Sequence, residues 1–208
     1  MKKLVLVLAV SILTAAAALA NSRVHFSAGV SGGEAETGAY YMAVGNYNRI
    51  QERQVIVVRQ RGISDEDLPV VFFIASKAGV SYDDVITLRL RGWSWMKIAL
   101  KYRIDPGVFY MPVSGRVINR TYARQYNYYQ GRPQSKWKKI RLSDRDIVNF
   151  VNLRFVSEHY GYNPHEVMQM RDKGRSFVQI DTHIRAKKAK AYNDKRAKEK
   201  NSRGRNKR

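Results

Sequence analysis

The sequence of 208 residues contains no cysteine, only four histidines and five prolines, and no long apolar run after residue 20. The absence of cysteine excludes disulfides, thiolate zinc sites, iron–sulfur clusters, c-type haem attachment and a lipidated N-terminal cysteine. A P-loop, a dinucleotide-binding fingerprint and a G-x-S-x-G nucleophile motif are also absent. The sequence therefore identifies no reaction, no cofactor and no small-molecule substrate.

Two motifs come close to known catalytic patterns. His165-Glu166 is followed by Gln169, where the H-E-x-x-H zinc motif requires a second histidine. Ser94-x-x-Lys97 fits the S-x-x-K pattern of penicillin-recognising enzymes, but their S-D-N and K-T-G motifs are missing. Ser94 is explained more simply as a helix N-cap. We therefore expect a protein that is not an enzyme and has no catalytic, cofactor-binding or metal-binding residues.

The N-terminus has the pattern of an export signal. Lys2 and Lys3 precede an uncharged run over 4–20, which ends in the small-residue triplet Ala18-Leu19-Ala20 before a polar segment. This pattern predicts a Sec signal peptide over 1–20, cleaved after Ala20. An uncleaved signal anchor is the alternative. We expect the mature chain to be periplasmic or secreted, with no transmembrane segment.

The chain is strongly basic, with 38 Lys and Arg against 17 Asp and Glu and a formal charge of +21. Twelve of the 24 residues over 185–208 are Lys or Arg, against Asp194 and Glu199. This tail has little to bury, so we expect it to be disordered or partly helical. The candidate polyanion-binding residues in it are Arg185, Lys187, Lys188, Lys190, Lys195, Arg196, Lys198 and Lys200.

A short pattern, V-φ-x-φ-R-x-[RK]-G-x-S with φ apolar, occurs three times, over 55–64, 85–94 and 167–176. Each copy is typical of a corner between two helices. The basic residues suit the negative end of the first helix, glycine takes a left-handed conformation after it, and serine caps the second helix. The structural positions of these corners are Arg59, Gly62, Ser64, Arg89, Gly92, Ser94, Arg171, Gly174 and Ser176.

The second and third copies belong to a longer repeat, since 79–98 aligns without gaps on 161–180. We therefore predict a mainly α fold built from a duplicated three-helix cassette, over 51–104 and 141–184. Helices are predicted at about 51–61, 67–78, 82–91, 94–103, 144–160, 164–173 and 176–190. The segment 21–50 is predicted to be a short β-hairpin or extended.

The segment 105–140, between the two cassettes, is dense in tyrosines and basic residues. Aromatic and guanidinium groups together suit single-stranded nucleic acid or an anionic glycan. Packing of the tyrosines onto the helices is the alternative. The candidate aromatic and basic surface consists of Arg116, Arg120, Tyr122, Arg124, Tyr126, Tyr128, Tyr129 and Trp137, and the same segment also contains Arg132, Lys136, Lys138 and Lys139.

The stretch from Ile74 to Val85, with Ala75, Gly79 and Val80-Ser81, resembles the helix-turn-helix of the lac repressor family. The resemblance implies that the second helix would enter the DNA major groove by its N-terminal residues. Asp83 and Asp84 stand at that position and would be repelled by phosphates. The alternative is a corner in which two helices meet through small residues.

The leading functional hypothesis is a non-enzymatic exported helical protein whose basic tail binds an anionic surface or polymer. Lipopolysaccharide, anionic lipid, a cell-wall polymer and extracellular nucleic acid are the candidate partners. A protein-interaction scaffold of an envelope assembly is the alternative, with an envelope protein as its partner. Nucleic-acid binding through the helix-turn-helix-like corner is the third hypothesis.

Overall fold

The computed structural model describes residues 32–205, and that part of the chain is mainly helical, as predicted, with no β-strand. Its α-helices are α1 Gly32–Asn48, α2 Glu52–Gln60, α3 Leu68–Ala78, α4 Tyr82–Leu90, α5 Trp95–Lys101, α6 Ala123–Gln130, α7 Asp144–Tyr160, α8 Pro164–Asp172 and α9 Phe177–Arg205. Three 3₁₀ helices span Asp65–Asp67, Pro106–Phe109 and Gln134–Lys139. Over the same residues, no helix is both long and apolar enough to cross a membrane. The predicted signal peptide lies outside the described residues.

Helix α1 replaces the hairpin or extended segment that the sequence analysis expected, at least from residue 32 onward. Tyr40, Ala43 and Val44 are buried, and their spacing of three and four places them on one helical face. That face packs against α2 and α9. The hairpin interpretation was wrong here because a short apolar cluster fits either period. The rest of that segment, 21–31, lies outside the described residues.

The centre of the core is formed by α3 and α7, which pack against each other. Every residue of α3 from Leu68 to Ala75 is buried, and so is most of α7 from Ile147 to Ser157. Helix α7 also contacts α1, α5, α8 and α9. Since a fully buried large apolar side chain contributes about 1.5–3 kcal/mol, these two helices supply much of the driving force for folding.

The three corners have the backbone geometry that their glycines imply. Gly62, Gly92 and Gly174 have φ of 101°, 82° and 82°, a left-handed conformation that a residue with a Cβ rarely adopts. Ser94 Oγ accepts a hydrogen bond from the Lys97 backbone N–H, and Ser176 Oγ accepts one from the Gln179 N–H, each at 3.2 Å. Ser64 makes no such side-chain bond.

The arginine of the third corner joins two parts of the chain that are far apart in sequence. Arg171 donates from Nη1 and Nη2 to the two carboxylate oxygens of Glu66, at 2.8 and 2.7 Å. Its guanidinium carbon lies 4.7 Å from the centroid of the Phe177 ring. The Phe177 N–H donates to the same carboxylate at 2.9 Å. Glu66 therefore binds the arginine and caps the first turn of α9 at the same time.

The arginine of the second corner repeats this arrangement. Arg89 Nη1 donates to Asp144 Oδ2 at 2.5 Å, and its guanidinium carbon lies 4.3 Å from the centroid of the Trp95 ring. The Trp95 N–H donates to Asp144 Oδ1 at 2.7 Å, so Asp144 also caps α5. Arg89 Nη2 lies 3.5 Å from Asp67 Oδ2. In the second and third corners, one carboxylate thus binds the arginine and also accepts the first N–H of the following helix.

The basic tail, expected to be disordered or partly helical, is described as a continuation of α9 to Arg205. Phe177, Ile180 and Ile184 bury the first turns of α9 against the body. Residues 186–199 are exposed. The segment is rich in alanine, lysine and arginine, which favour helices, and it extends a helix that packing has already nucleated. The helix predicted at about 176–190 thus extends further along the tail, to Arg205.

We predict that Glu66→Gln lowers the free energy of unfolding by about 2 kcal/mol, because it removes the charge that binds the partly buried Arg171. Urea denaturation of the two proteins measures the difference. Arg61→Gln is the control, since Arg61 pairs with Asp83 at the surface, and it should cost less than about 0.5 kcal/mol. Equal losses of unfolding free energy in the two variants would show that the Glu66–Arg171 ion pair does not stabilise the corner.

Candidate anion-binding site

The segment 105–140 contains one α-helix, α6, and that helix has a buried aromatic face. Tyr122, Tyr126 and Tyr129 are fully buried, and their spacing of four and three places them on the same side of α6. Their ring centroids lie 6.4, 5.6 and 5.8 Å from that of Phe150 on α7. These tyrosines attach α6 to the core.

The hydroxyls of these tyrosines donate to backbone carbonyls. Tyr126 Oη donates to Met111 O at 2.7 Å, and Tyr129 Oη donates to Pro106 O at 2.6 Å. Burial raises the pKa of both hydroxyls, so they remain protonated donors. Tyr122, Tyr126 and Tyr129 were assigned to a binding surface from the sequence; that assignment is wrong for them, because their rings and hydroxyls are used in packing.

The opposite face of α6 is exposed and basic. Tyr128 is 38% exposed, and the guanidinium carbons of Arg132 and Arg124 lie 4.8 and 5.8 Å from its ring centroid. With the 3₁₀ helix Gln134–Lys139, this face forms a groove of about 520 Å³. We call it the basic groove, and its lining residues are Arg124, Tyr128, Arg132, Lys136, Lys139, Ile140 and Arg141.

Charge in the basic groove has one sign. Five of its seven lining residues are Lys or Arg, and none of these seven is Asp or Glu. A neighbouring depression of about 540 Å³ shares Arg124 and adds Arg120 and Arg145. Asp146, which also lines that depression, already accepts hydrogen bonds from Ser143 in a capping box. The arrangement therefore favours a ligand that brings several negative charges.

The remaining candidates of this segment lie around the groove. Arg116 and Arg120 are exposed, and Trp137 is half-buried with its Nε1–H donating to Tyr129 O at 3.0 Å. Burial alone would raise the pKa of Asp172, but hydrogen bonds from Thr121 and from the Arg120 backbone lower it. Asp172 thus stays charged and holds the residues just before α6 against α8.

The tail candidates divide into an anchored group and a projecting group. Arg185 donates to Asp181, Lys187 to the Tyr162 hydroxyl, and Lys188 to the Tyr160 carbonyl. Lys187 and Lys188 therefore attach α9 to the body, while the Arg185–Asp181 pair lies within α9 itself. Beyond them the candidate side chains that the structure describes are exposed: Lys190, Lys195, Arg196 and Lys198. Lys200 lies on the same helix.

Sequence analysis missed part of the groove. Arg132, Lys136 and Lys139 were noted but not assigned to the surface, and Arg141 was not considered. The signal was the spacing of Arg124, Tyr128 and Arg132, which are four residues apart and therefore share one helical face. Reading 105–140 as a linker hid that period.

Metal ligands and the helix-turn-helix-like corner gave no further site. Among residues 32–205, no group of three or more His, Asp or Glu side chains could hold a metal ion. At the α3–α4 corner, Gly79 has φ of 66° and Ser81 caps α4 by accepting from Asp83 N. Asp83 and Asp84 are exposed at the start of α4, where DNA phosphates would lie.

We predict that the two neighbouring tyrosines of α6 behave differently when each is changed to alanine. Tyr129→Ala should lower the free energy of unfolding by about 3–5 kcal/mol, because it empties a fully buried aromatic position. Tyr128→Ala should cost less than about 1 kcal/mol, because that ring lies at the surface. Urea denaturation tests both. A Tyr128→Ala cost as large as that of Tyr129→Ala would contradict the placement of α6.

Comparisons with protein-family models, with curated proteins and with solved structures each find no match to this chain. What the site offers a ligand is the chemistry of the basic groove itself: five cations around one exposed ring, on elements held by buried tyrosines.

Proposed function

We propose that this protein binds an anionic polymer or surface in the basic groove, with the projecting part of α9 as a second basic element, and that it is not an enzyme. The observation that carries the proposal is the groove's composition, five cations without a carboxylate among its lining residues. The five positive charges repel one another, and a ligand with several negative charges would offset that repulsion.

The rigidity of the groove favours binding over a merely solvated basic face. Helix α6 is held by Tyr126 and Tyr129, and the following 3₁₀ helix is held through Trp137, whose ring centroid lies 5.1 Å from that of Tyr129. The backbone that bears the cations is therefore ordered before the ligand arrives. Less freedom is lost on binding when the site is preorganised.

Helix α9 extends the basic surface. Its exposed part, residues 186–199, is about 21 Å long at 1.5 Å per residue. Basic residues occur on all sides of it, so it cannot form a core helix and suits a solvated or polyanion-bound state. Its contribution should be sensitive to salt, because exposed charges are screened within about 8 Å at physiological ionic strength.

The proposed partner carries repeated phosphates or carboxylates. Lipopolysaccharide, anionic lipid, cell-wall polymers and extracellular nucleic acid all have this chemistry. The signal peptide expected over 1–20 supports export, to the periplasm or outside the cell, where such partners occur. Single-stranded nucleic acid is usually bound by stacking its bases on aromatic rings. Arginines already lie near the Tyr128 ring, so the groove suits phosphate groups better than bases.

The framework that carries the groove is proposed to be a duplicated three-helix cassette. Alignment of 79–98 on 161–180 supports it, and so does a correspondence outside the aligned stretch. At the same offset, Asp67 corresponds to Asn149, and each lies near the arginine of its own corner: Arg89 Nη2 is 3.5 Å from Asp67, and Arg171 Nε is 3.1 Å from Asn149.

A protein-interaction scaffold is the second candidate function. Ile118 is 77% exposed and Leu100 is 54% exposed. A protein partner would cover such residues and would stay bound at high salt. Binding through the helix-turn-helix-like corner remains the third candidate, and the exposed Asp83 and Asp84 count against it.

We predict that the double variant Lys136→Gln/Lys139→Gln weakens binding to heparin and to polyphosphate by about tenfold at 0.1 M salt and lowers the log–log salt slope by about 2. Arg53→Gln/Lys101→Gln is the matched control, since it removes two exposed charges outside the groove and should change affinity by less than about threefold. Fluorescence anisotropy over a salt series measures both.

A chain ending at Ala189 separates the groove from the tail. It keeps Lys187 and Lys188, which attach α9 to the body, and it should bind more weakly but still lose affinity with the groove variant. If truncation abolishes binding and the groove variant does not affect it, the tail alone is the site. If one defined envelope protein stays bound at high salt to every variant, the scaffold function replaces the proposal.

A further inference from the structure

A second cleft, which neither the sequence analysis nor the proposed function uses, lies where the end of α1, the α3–α4 corner and α7 meet. Its volume is about 720 Å³, a size typical of small-molecule sites. We call it the aromatic cleft, and the lining residues used here are Tyr47, Arg49, Phe73, Lys77, Tyr82, Arg154 and Glu158. It shares no lining residue with the basic groove.

Arg154 lies in this cleft with donors to spare. Its Nη2 donates to Val108 O at 3.2 Å and to Tyr110 O at 2.8 Å, which fixes the guanidinium. Its Nε is buried and has no hydrogen-bond partner among the described residues. A buried guanidinium N–H without an acceptor is unusual, because such groups are nearly always satisfied in folded proteins. Because protein atoms enclose Nε, a ligand would not reach it, and Arg154 contributes the positive charge of its guanidinium to the cleft.

Two further cations line the cleft. Lys77 Nζ lies 5.7 Å and the Arg154 guanidinium carbon 5.5 Å from the centroid of the same ring, that of Phe73. Arg49 has φ of 58°, a left-handed conformation that is costly for a residue other than glycine or asparagine. This conformation ends α1, where the Ile50 N–H donates to Gly45 O at 2.8 Å, as at many helix C-termini. The cleft thus has a positive wall around an aromatic residue.

Glu158 is the one acid among the lining residues of the cleft, and it is hydrogen-bonded to Tyr47. The Tyr47 hydroxyl donates to Glu158 Oε2 at 2.5 Å. Three cations against one carboxylate leave a formal charge of +2. Tyr47 and Tyr82 are half-buried, and both line the cleft.

We propose that the aromatic cleft binds a small phosphomonoester of a ring compound. The phosphate, which carries about −1.5 to −2 at neutral pH, matches the +2 of the lining and accepts hydrogen bonds from Arg154, Lys77 and Arg49. The ring lies against Tyr47 and Tyr82. This inference is independent of the polyanion function, because the two sites share no residue.

Phenyl phosphate is the test probe, with inorganic phosphate and phenol as its two halves, titrated into the full mature chain by isothermal calorimetry. Phenyl phosphate should saturate one site with a dissociation constant at least about tenfold below that of either half, since both contacts contribute. Lys77→Gln and Arg49→Asn should each weaken it by about fivefold or more, which is the size of one charge-assisted hydrogen bond.

These variants keep the fold testable. Lys77 is exposed, and asparagine tolerates the left-handed backbone of residue 49, so both proteins should unfold at the temperature of the parent or above. The groove variant Lys136→Gln/Lys139→Gln should bind phenyl phosphate unchanged, and Lys77→Gln should bind heparin unchanged. Three results would overturn the inference: no saturation by phenyl phosphate, phenol binding as tightly, or the groove variant losing as much affinity as Lys77→Gln.

Discussion

Three consecutive carboxylates, Asp65, Glu66 and Asp67, receive the arginines of all three helix corners, and the rest of the structure depends on this convergence. Arg59 Nε donates to Asp65 at 2.5 Å, Arg171 binds Glu66 through two nitrogens, and Arg89 lies 3.5 Å from Asp67. A carboxylate partner stabilises a partly buried arginine by offsetting the desolvation of its charge. The triplet therefore determines where α2, α4 and α8 end relative to α3.

Two of these arginines form ion pairs that join the first half of the chain to the second. Glu66 precedes α3 and binds the arginine of the third corner, while Asp144 begins α7 and binds the arginine of the second corner. Each carboxylate additionally accepts the first N–H of the helix that follows the corner it serves. Each of these carboxylates thus joins two segments that are distant in sequence and caps a helix at the same time.

The same residue types have opposite uses in the core and at the surface. Paired with carboxylates, Arg89 and Arg171 hold corners together; in the basic groove, Arg124 and Arg132 flank an exposed tyrosine in a site that contains no acid among its lining residues. Tyrosine shows the same division within α6, where Tyr129 is buried and Tyr128 is exposed. What separates the uses is the face of the helix on which each side chain lies.

Local chemistry in the sequence determined most of the helices, their starts and their ends, because caps, left-handed glycines and the spacing of apolar residues act within a few residues. It also indicated a basic binding protein. Only the tertiary structure decided that Tyr40–Val44 is helical, how far α9 continues into the tail, and which tyrosines of 105–140 face the core. Burial decides these features, and burial depends on distant partners: Phe150 of α7 for the α6 tyrosines, and α2 and α9 for α1.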